Sequence, residues 1–271
     1  MKYKVSDVKR ILNLSKDTLR YFDNKRLISS ARDKNNYRYF KSQDINKIFA
    51  YKMYRSLLFN MKDAENLVSG HSVENQQRML ENQLQFIQSE QEYLNRAKRH
   101  LEMLSEKLQR WEVLKEAFEI VTSHECYYHC NQTGDQFIES EEVLRNTHAF
   151  LNQMPDLWPA FSYQVDCGKR TADAGAGSDA GVSFGYAVYT DESHLVENLT
   201  HLPSVPCVHT FFTVRDDFEA KLQEILEEAE RFCSAKGYQM TGGVYGNMLH
   251  EIIENQEASQ LFDVYFPIKK K

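Results

Sequence analysis

No stretch of this sequence approaches the roughly eighteen consecutive apolar residues that a membrane-spanning helix needs, so no membrane association is expected. The opening residues Met1-Lys2-Tyr3-Lys4-Val5 lack an apolar run behind their basic side chains, which argues against a secretory signal and points to the cytoplasm. Cysteine is sparse and odd in number. Cys126, Cys130, Cys167, Cys207 and Cys233 are scattered, unlike the dense, even framework of a secreted disulfide scaffold, and reduced thiols are expected. No Gly-Lys-Ser/Thr follows Gly175-Ala176-Gly177-Ser178, which therefore reads as a hairpin tip and not a phosphate loop. Spacing alone supports no Ser-His-Asp or Cys-His catalytic arrangement, since such sets are recognised by geometry. His124, Cys126, His129 and Cys130 group soft ligands, but no second CxxC-type cluster accompanies them, and neighbours 129 and 130 would point to opposite faces of a strand. Neither a metal nor a cofactor is expected.

What the chain does contain is divided by charge. Its 271 residues are 42% hydrophobic and 27% charged, enough for a real core and long for one domain. Residues 1–70 carry 16 Lys+Arg against 7 Asp+Glu, whereas the whole chain has a net charge of −6. A basic head suits a polyanion, because each cation placed on a phosphate releases condensed counterions. An acidic body would repel the same partner.

Within the head, Ser6 is the expected cap of a first short helix with Val8, Ile11 and Leu12 at helical spacing, and Asn13-Leu14 ends it. Ser15 then caps a second helix over 16–24 with Leu19 and Phe22 inward. Two short helices across a tight turn form a helix-turn-helix pattern. The polar stretch 29–36 followed by Tyr37-Arg38-Tyr39-Phe40 reads as a hairpin wing. A third helix is expected over 43–58, its stripe built from Ile45, Ile48, Phe49, Met53 and Leu57, and a fourth over 61–69 ends at Gly70.

The run Ser15-Lys16-Asp17-Thr18-Leu19-Arg20-Tyr21-Phe22, then Leu27-Ile28, Arg32, Tyr37-Arg38-Tyr39-Phe40 and Asp44-Ile45, resembles the DNA-binding domain of the MerR family. The chain departs from the family pattern at Arg26, Ser30, Asn36 and Leu58, where Gly, Pro, Gly and Gly are usual. The resemblance implies that Ser15, Lys16, Thr18, Arg20 and Tyr21 reach the major groove or its flanking phosphates, and that Arg32, Tyr37, Arg38 and Tyr39 grip the backbone from the wing.

From 72 to 118 the sequence has neither Pro nor Gly. Leu80, Leu84, Ile87, Gln91, Leu94, Lys98, Leu101, Ser105 and Leu108 alternate four-three along it, a heptad pattern with polar interruptions. A helix of about 45 residues spans about 70 Å, too long to be buried in one small domain. Pairing with a second chain is expected over a solvated single helix, and the resemblance implies an antiparallel coiled coil in a homodimer.

Beyond 124 the sequence turns to aromatic, strand-like segments. Strands are expected over 126–130, 161–167, 182–190, 207–214, 238–253 and 261–268, with helices over 138–153 and 216–236. Strand-helix-strand-strand thus occurs twice. That order, with Gly242-Gly243-Val244-Tyr245 and Asp263-Val264-Tyr265-Phe266-Pro267-Ile268, resembles the gyrase-inhibitor-like effector-binding domain, a pairing found in the multidrug-responsive branch of the family. The fold class is therefore α+β multidomain: a winged helix-turn-helix over 1–71, a coiled-coil dimerisation helix over 72–120 and a duplicated effector-binding domain over 121–271.

Residues 118–271 hold 24 acidic against 10 basic side chains amid many aromatics. Aromatic walls around a buried carboxylate attract lipophilic cations through ring quadrupoles and charge. Glu251 is the expected pocket acid, with Glu254 the alternative, and Tyr163, Phe184, Tyr186, Tyr245 and Tyr265 are the expected walls. The resemblance implies a non-enzymatic regulator that bends and untwists promoter DNA for RNA polymerase when a small-molecule effector binds. Hydrolysis in the effector pocket and constitutive DNA bending are the alternatives.

Overall fold

The computed structural model describes residues 2–28, 30–32, 37–115, 117–163, 181–189, 199–254 and 257–271, with the side chain of Glu254 left aside. Two compact units, Met1–Tyr93 and Leu94–Lys271, share the chain, and the division falls within one long helix. Among the described residues no helix is long and apolar enough to cross a membrane.

The first unit runs β1 (Tyr3–Lys4), α1 (Val5–Leu12), α2 (Lys16–Asn24), β2 (Ala31–Arg32), β3 (Arg38–Phe40), α3 (Ser42–Ser56), α4 (Met61–Ser69) and the first part of α5 (Val73–Leu114). Its three short strands lie antiparallel in the order β1-β3-β2. α1 begins just before the expected cap Ser6, because the Asp7 carboxylate accepts the Lys4 backbone N–H at 2.9 Å. Asn13 ends it in the left-handed region at φ +48°. Ser15 caps α2, its Oγ accepting the Thr18 backbone N–H at 3.0 Å. Asn60 caps α4, which stops at Gly70 with φ +96°. Val8, Leu19, Phe22, Ile28, Phe40, Ile48, Tyr51 and Leu67 close around one core. The expected stripe of α3 is only partly inward. Ile45, Ile48, Tyr51 and Tyr54 face the core, while Phe49, Met53 and Leu57 form a second stripe, four residues apart, that stays exposed.

Two departures from the family pattern acquire a physical reading. Arg26 (φ +57°) and Leu58 (φ +66°) both adopt the left-handed backbone that glycine takes without penalty. Asn36, the other position where glycine is usual, lies outside the described residues. Leu58 is largely exposed, so its side chain returns little for that conformation. Leu58→Gly is expected to raise the unfolding free energy by about 1 kcal/mol. Urea titration followed by circular dichroism checks this, and a destabilised variant would show that the side chain is covered in the native protein.

The second unit holds the remainder of α5, then β4 (Glu119–Thr122), β5 (Cys126–Thr133), β6 (Gln136–Phe137), α6 (Glu141–Leu151), β7 (Leu157–Tyr163), β8 (Val182–Val188), β9 (Thr200–Leu202), β10 (Pro206–Val214), α7 (Phe218–Ala235), β11 (Tyr238–Met240), β12 (Val244–Glu254) and β13 (Glu257–Lys270). The principal sheet has the order β4-β10-β13-β12-β7-β8-β5-β6. The repeat is visible in that order. β5-α6-β7-β8 and β10-α7-β12-β13 each pair their first strand with their third, and the two second strands, β7 and β12, pair with one another at the centre. Several boundaries differ from expectation for local reasons. Ser140 caps α6, which therefore starts at Glu141 and not at 138. Gly242, at φ +85°, divides the strand expected over 238–253 into β11 and β12. α5 ends at Leu114, which frees Glu119–Thr122 to become an unexpected edge strand on β10. The loop containing Gly175–Ser178 lies outside the described residues.

Strand alternation gives this sheet two different faces. Phe161, Val208, Phe212, Phe262, Val264 and Phe266 point to one side and pack on Leu222, Ile225 and Ala229 of α7. The opposite face carries Trp158, Phe211 and Leu261 beneath the last turns of α5, where Met103, Leu104, Leu108 and Trp111 meet it. Gly246 belongs to the α7 face, level with Phe161 and Val264: a Cβ there would sit 1.9 Å from the Asp263 carbonyl oxygen and 2.7 Å from the Phe161 ring.

Candidate functional site

Two surfaces carry candidate function, and each is built within one unit. On the first unit, Ser15 is exposed at the start of α2 and shares a 2.7 Å hydrogen bond with Thr18 Oγ1. Lys16 and Arg20 are exposed along the same helix, four residues apart on one face. Arg32 and Arg38 are both exposed and directly opposed in the β2–β3 register, with Tyr37 exposed beside them. Arg38 also pairs with Asp23 of α2 at 3.1 Å, tying the hairpin to the helix. Tyr39 is half-buried under the Lys2 ammonium, 4.4 Å from its ring centre. Tyr21 differs from the others: its hydroxyl donates to Glu65 of α4, which, with burial, raises its ionisation well above the usual phenol range. The hydroxyl is thereby committed within the fold.

On the second unit, a cavity of about 140 Å³ opens between α5, β4 and β10, lined by Met103, Glu106, Lys107, Arg110, Val121, Thr122, His124, His209, Phe211 and Tyr265. Met103, Lys107 and Arg110 fall at helical spacing, so α5 turns one face to the sheet. Behind the lining residues Lys107 and Tyr265 lies Asp263, wholly buried on β13. Every side of this carboxylate is met. Oδ1 accepts the Asn247 backbone N–H at 2.8 Å and its Nδ2 at 3.0 Å. Oδ2 takes the Lys107 ammonium and the Tyr265 hydroxyl at 3.3 Å. The Lys107 ammonium itself stands 5.6 Å from the Trp158 ring centre and 5.5 Å from that of Tyr265, close enough for cation–π attraction.

Burial pushes the Asp263 carboxyl up, but the Lys107 charge, His209 and the hydrogen bonds from Lys107 and Asn247 together hold the group below its ordinary value. Burial likewise opposes the Lys107 charge, and Asp263, with Tyr189 and Glu106, raises the group above its ordinary value. Both are therefore charged at neutral pH. Tyr265 is pushed far upward, first by burial and then by the Asp263 charge, so its hydroxyl stays a neutral donor. Burial, reinforced by Asp263, pushes the Cys126 thiol up to about 12. The four described cysteines form no disulfide. His129 stands apart from Cys126, with Nε2 3.0 Å from Thr147 of α6 on the opposite face of the sheet.

A second relay borders the cavity. Arg110 pairs with Glu119, and Glu119 Oε1 lies 3.0 Å from His209 Nδ1. A carboxylate only accepts, so Nδ1 carries the ring proton and Nε2 is left as an acceptor. That Nε2 is buried and has no hydrogen-bond partner among the described residues. Burial chiefly depresses the His209 ring.

The comparisons with known proteins bear on the first unit. Residues 3–70 match the family model described as MerR HTH family regulatory protein. Residues 3–70 are a MerR HTH domain. Among solved structures, a transcriptional regulator of the MerR family from Bacillus cereus is 19% identical with a TM-score of 0.36, the match covering 40% of this chain and 84% of that one. The EcmrR–DNA complex is 13% identical with a TM-score of 0.37, covering 99% of this chain and 100% of the other. SAV2435 bound to tetraphenylphosphonium is 9% identical with a TM-score of 0.31, covering 56% and 93%. No curated protein matches the chain significantly.

Beside the MerR HTH domain, the second unit distributes the expected pocket residues unequally. Tyr245 and Tyr265 stack, 5.8 Å apart, on the cavity side of the sheet. Tyr163 and Phe184 pack on the opposite side, in the core under α7, and Tyr186 packs there beside Phe150 of α6. Glu251 is exposed, opposite Gln260, where β12 has run past its pairing with β7 and away from the cavity. The buried acid of this face is Asp263. Sequence reasoning passed over it, although one charge within Leu261-Phe262-Asp263-Val264-Tyr265-Phe266 is a legible signal of a paired, buried group. Lys107, Arg110, Glu119 and His209 were also missed, and no local motif marks them.

The depressed His209 ring makes a pH prediction. A histidine held neutral in the fold contributes stability that is complete above its unfolded value near 6.5 and is lost as pH falls below it. His100 and His129 are lowered by burial in the same sense. The thermal midpoint of the second unit is expected to drop by a few degrees between about pH 7.5 and 5, and by less in His209→Gln. Calorimetry at both pH values decides; equal slopes in the two proteins would remove His209 from the explanation.

Proposed function

We propose that the protein is a DNA-binding transcription regulator, a homodimer whose second unit receives a small cationic effector and whose MerR HTH domain bends and untwists promoter DNA for RNA polymerase. The observation that carries the DNA half is the exposed cationic surface of Ser15-capped α2, with Lys16 and Arg20, beside the Arg32/Arg38 hairpin. Helix N-terminal residues with a flanking wing match the way such domains enter a major groove, and the cations place the protein on phosphates. Tyr21, its hydroxyl held by Glu65, contributes ring surface and positioning.

The second copy is supported by apolar surface that one chain leaves open: Leu80, Leu84, Leu94 and Leu101 along α5, at heptad spacing, and the Phe49/Met53/Leu57 stripe of α3. The effector half is supported by the cavity over Asp263, where a carboxylate, a tyrosine hydroxyl and two aromatic rings surround a cation. Asp263 takes the anchoring role that the sequence had suggested for Glu251. α5 leads without interruption from the MerR HTH side of the chain to this cavity, so a ligand that favours one arrangement of its last turns biases a two-state dimer by its differential affinity.

Fluorescence anisotropy with a mixed-sequence 40-base-pair duplex at low salt tests the DNA half. Affinity should fall steeply with added salt, and Arg20→Ala should weaken binding about tenfold and lower the log–log salt slope by about 1. A full-length chain that ignores duplex DNA at about 50 mM salt would end this reading, since that is where phosphate contacts are strongest.

A further inference from the structure

The cation already held by Asp263 belongs to the protein. Lys107 is anchored on α5 and reaches Asp263 with its side chain only 11% exposed. It uses all the contacts an effector cation would need: carboxylate, Tyr265 hydroxyl, and the Trp158 and Tyr265 rings. A cation arriving from solution meets an occupied site. One acceptor beside it is unused, however. His209 lines the same cavity and its Nε2 has no partner, while Glu119 fixes the ring proton on Nδ1. The His209 ring lies 4.6 Å from that of Tyr265, and an unpaired acceptor so close to the cation, barred from donating, selects ligands bearing N–H.

We propose that this site takes protonated amines that carry an N–H and an apolar arm, and that such an amine binds by replacing the Lys107 ammonium on Asp263. The exchange conserves charge at Asp263: one ammonium leaves the carboxylate as another arrives. Asp263 is never left without a cation, which avoids the penalty of an isolated buried charge. The incoming N–H groups find Asp263 and His209 Nε2, and the apolar arm finds Met103 and Phe211. Lys107 is driven out with the turn of α5 that carries it, so the ligand acts on the long helix by taking the place of one of its own side chains. A quaternary cation has charge but no N–H, and it leaves His209 unpaired. This inference refines the effector half of the proposed function and is independent of DNA binding.

The probe is phenethylammonium, compared with its N,N,N-trimethyl analogue and titrated into the full-length protein. Trp111 and Trp158, the chain's two tryptophans, both lie in the apolar cluster at this site and report by fluorescence. Lys107→Ala removes the tethered competitor, whose effective concentration is millimolar or higher, and is expected to bind phenethylammonium at least about tenfold more tightly than the wild type. The trimethyl analogue should bind about tenfold more weakly than phenethylammonium in that variant. Adding Asp263→Asn should abolish the gain. Equal affinity in wild type and Lys107→Ala overturns the exchange; equal affinity for the two probes overturns the N–H requirement; no binding of either probe to either chain overturns the site. Should Lys107→Ala not fold, the wild type still decides. N,N-dimethylphenethylamine, which retains one N–H when protonated and does not consume acylating reagent, should increase the acylation rate of Lys107 severalfold while leaving exposed Lys98 and Lys115 unchanged. Continued protection of Lys107 at saturating probe sinks the proposal. Duplex binding measured on the same preparations separates this outcome from failure of the DNA reading.

Discussion

Replacing Lys107 by methionine is expected to cost the second unit about 3–5 kcal/mol, the largest effect of any single substitution at the site. Methionine keeps most of the side chain's length and apolar stem, so packing under α5 is nearly unchanged and the loss isolates the charge. Asp263 would remain wholly buried with only Asn247 and Tyr265 to stabilise it. An anion in that position either stays ionised at high cost or takes up a proton. The second route gives the prediction its pH signature. The variant's carboxyl rises above its unfolded value, so its deficit relative to wild type should shrink as pH falls toward about 4 and below, where the unfolded carboxyl takes up its proton too. Lys107→Met/Asp263→Asn removes both charges and should recover most of the loss, because a neutral amide in place of the carboxylate keeps the Asn247 and Tyr265 contacts near neutrality. Urea unfolding read by tryptophan fluorescence reports this unit selectively, since Trp111 and Trp158 both belong to it. A deficit below about 1 kcal/mol in the single variant would mean that the pair is solvated in the native protein, and the closed cation site would no longer stand.

The helix-turn-helix was legible because its determinants are local. Ser15, Asn13, Asn60 and Gly70 each act on backbone within four residues, and all sit where capping rules place them. Even the unusual residues were readable there: Arg26 and Leu58 stand in positive-φ positions for which glycine is the ordinary choice. The Asp263 cavity was much less legible, because its determinants are relative or distant. Alternation correctly implies that Tyr163, Phe184 and Tyr186 share a face, but it does not say which face the helices cover, and they are under α6 and α7. Glu119 was assigned to the connector, although the helix stops at Leu114 and the chain returns as strand β4. Lys107 reads in sequence as one more solvated lysine on a long helix. Its partner lies 156 residues away, a separation that no periodicity reports.

Separating the two copies should abolish tight DNA binding while leaving each chain folded. Leu84 and Leu94 are 66% and 62% exposed on α5, at heptad positions, and touch neither core of their own chain. Glutamate at both positions therefore removes nothing from the folded monomer, whereas at a coiled-coil seam it buries four carboxylates across the dimer. The double variant is expected to sediment at half the mass of the wild type with an unchanged circular dichroism spectrum per chain apart from the ends of α5. Its affinity for a duplex should fall about 100-fold or more, because two linked MerR HTH domains bind with an effective concentration that a single one lacks. The salt slope of the residual binding should be about half that of the wild type, as half the phosphates are contacted. That slope discriminates between causes. A monomer with the full slope would mean that one chain covers the whole site alone, and a variant that still sediments as a dimer would place the interface elsewhere than on the Leu84/Leu94 seam. Either result would break the link between α5 and DNA recognition, since a helix that does not hold two reading heads has no means of passing the state of the Asp263 cavity to the operator.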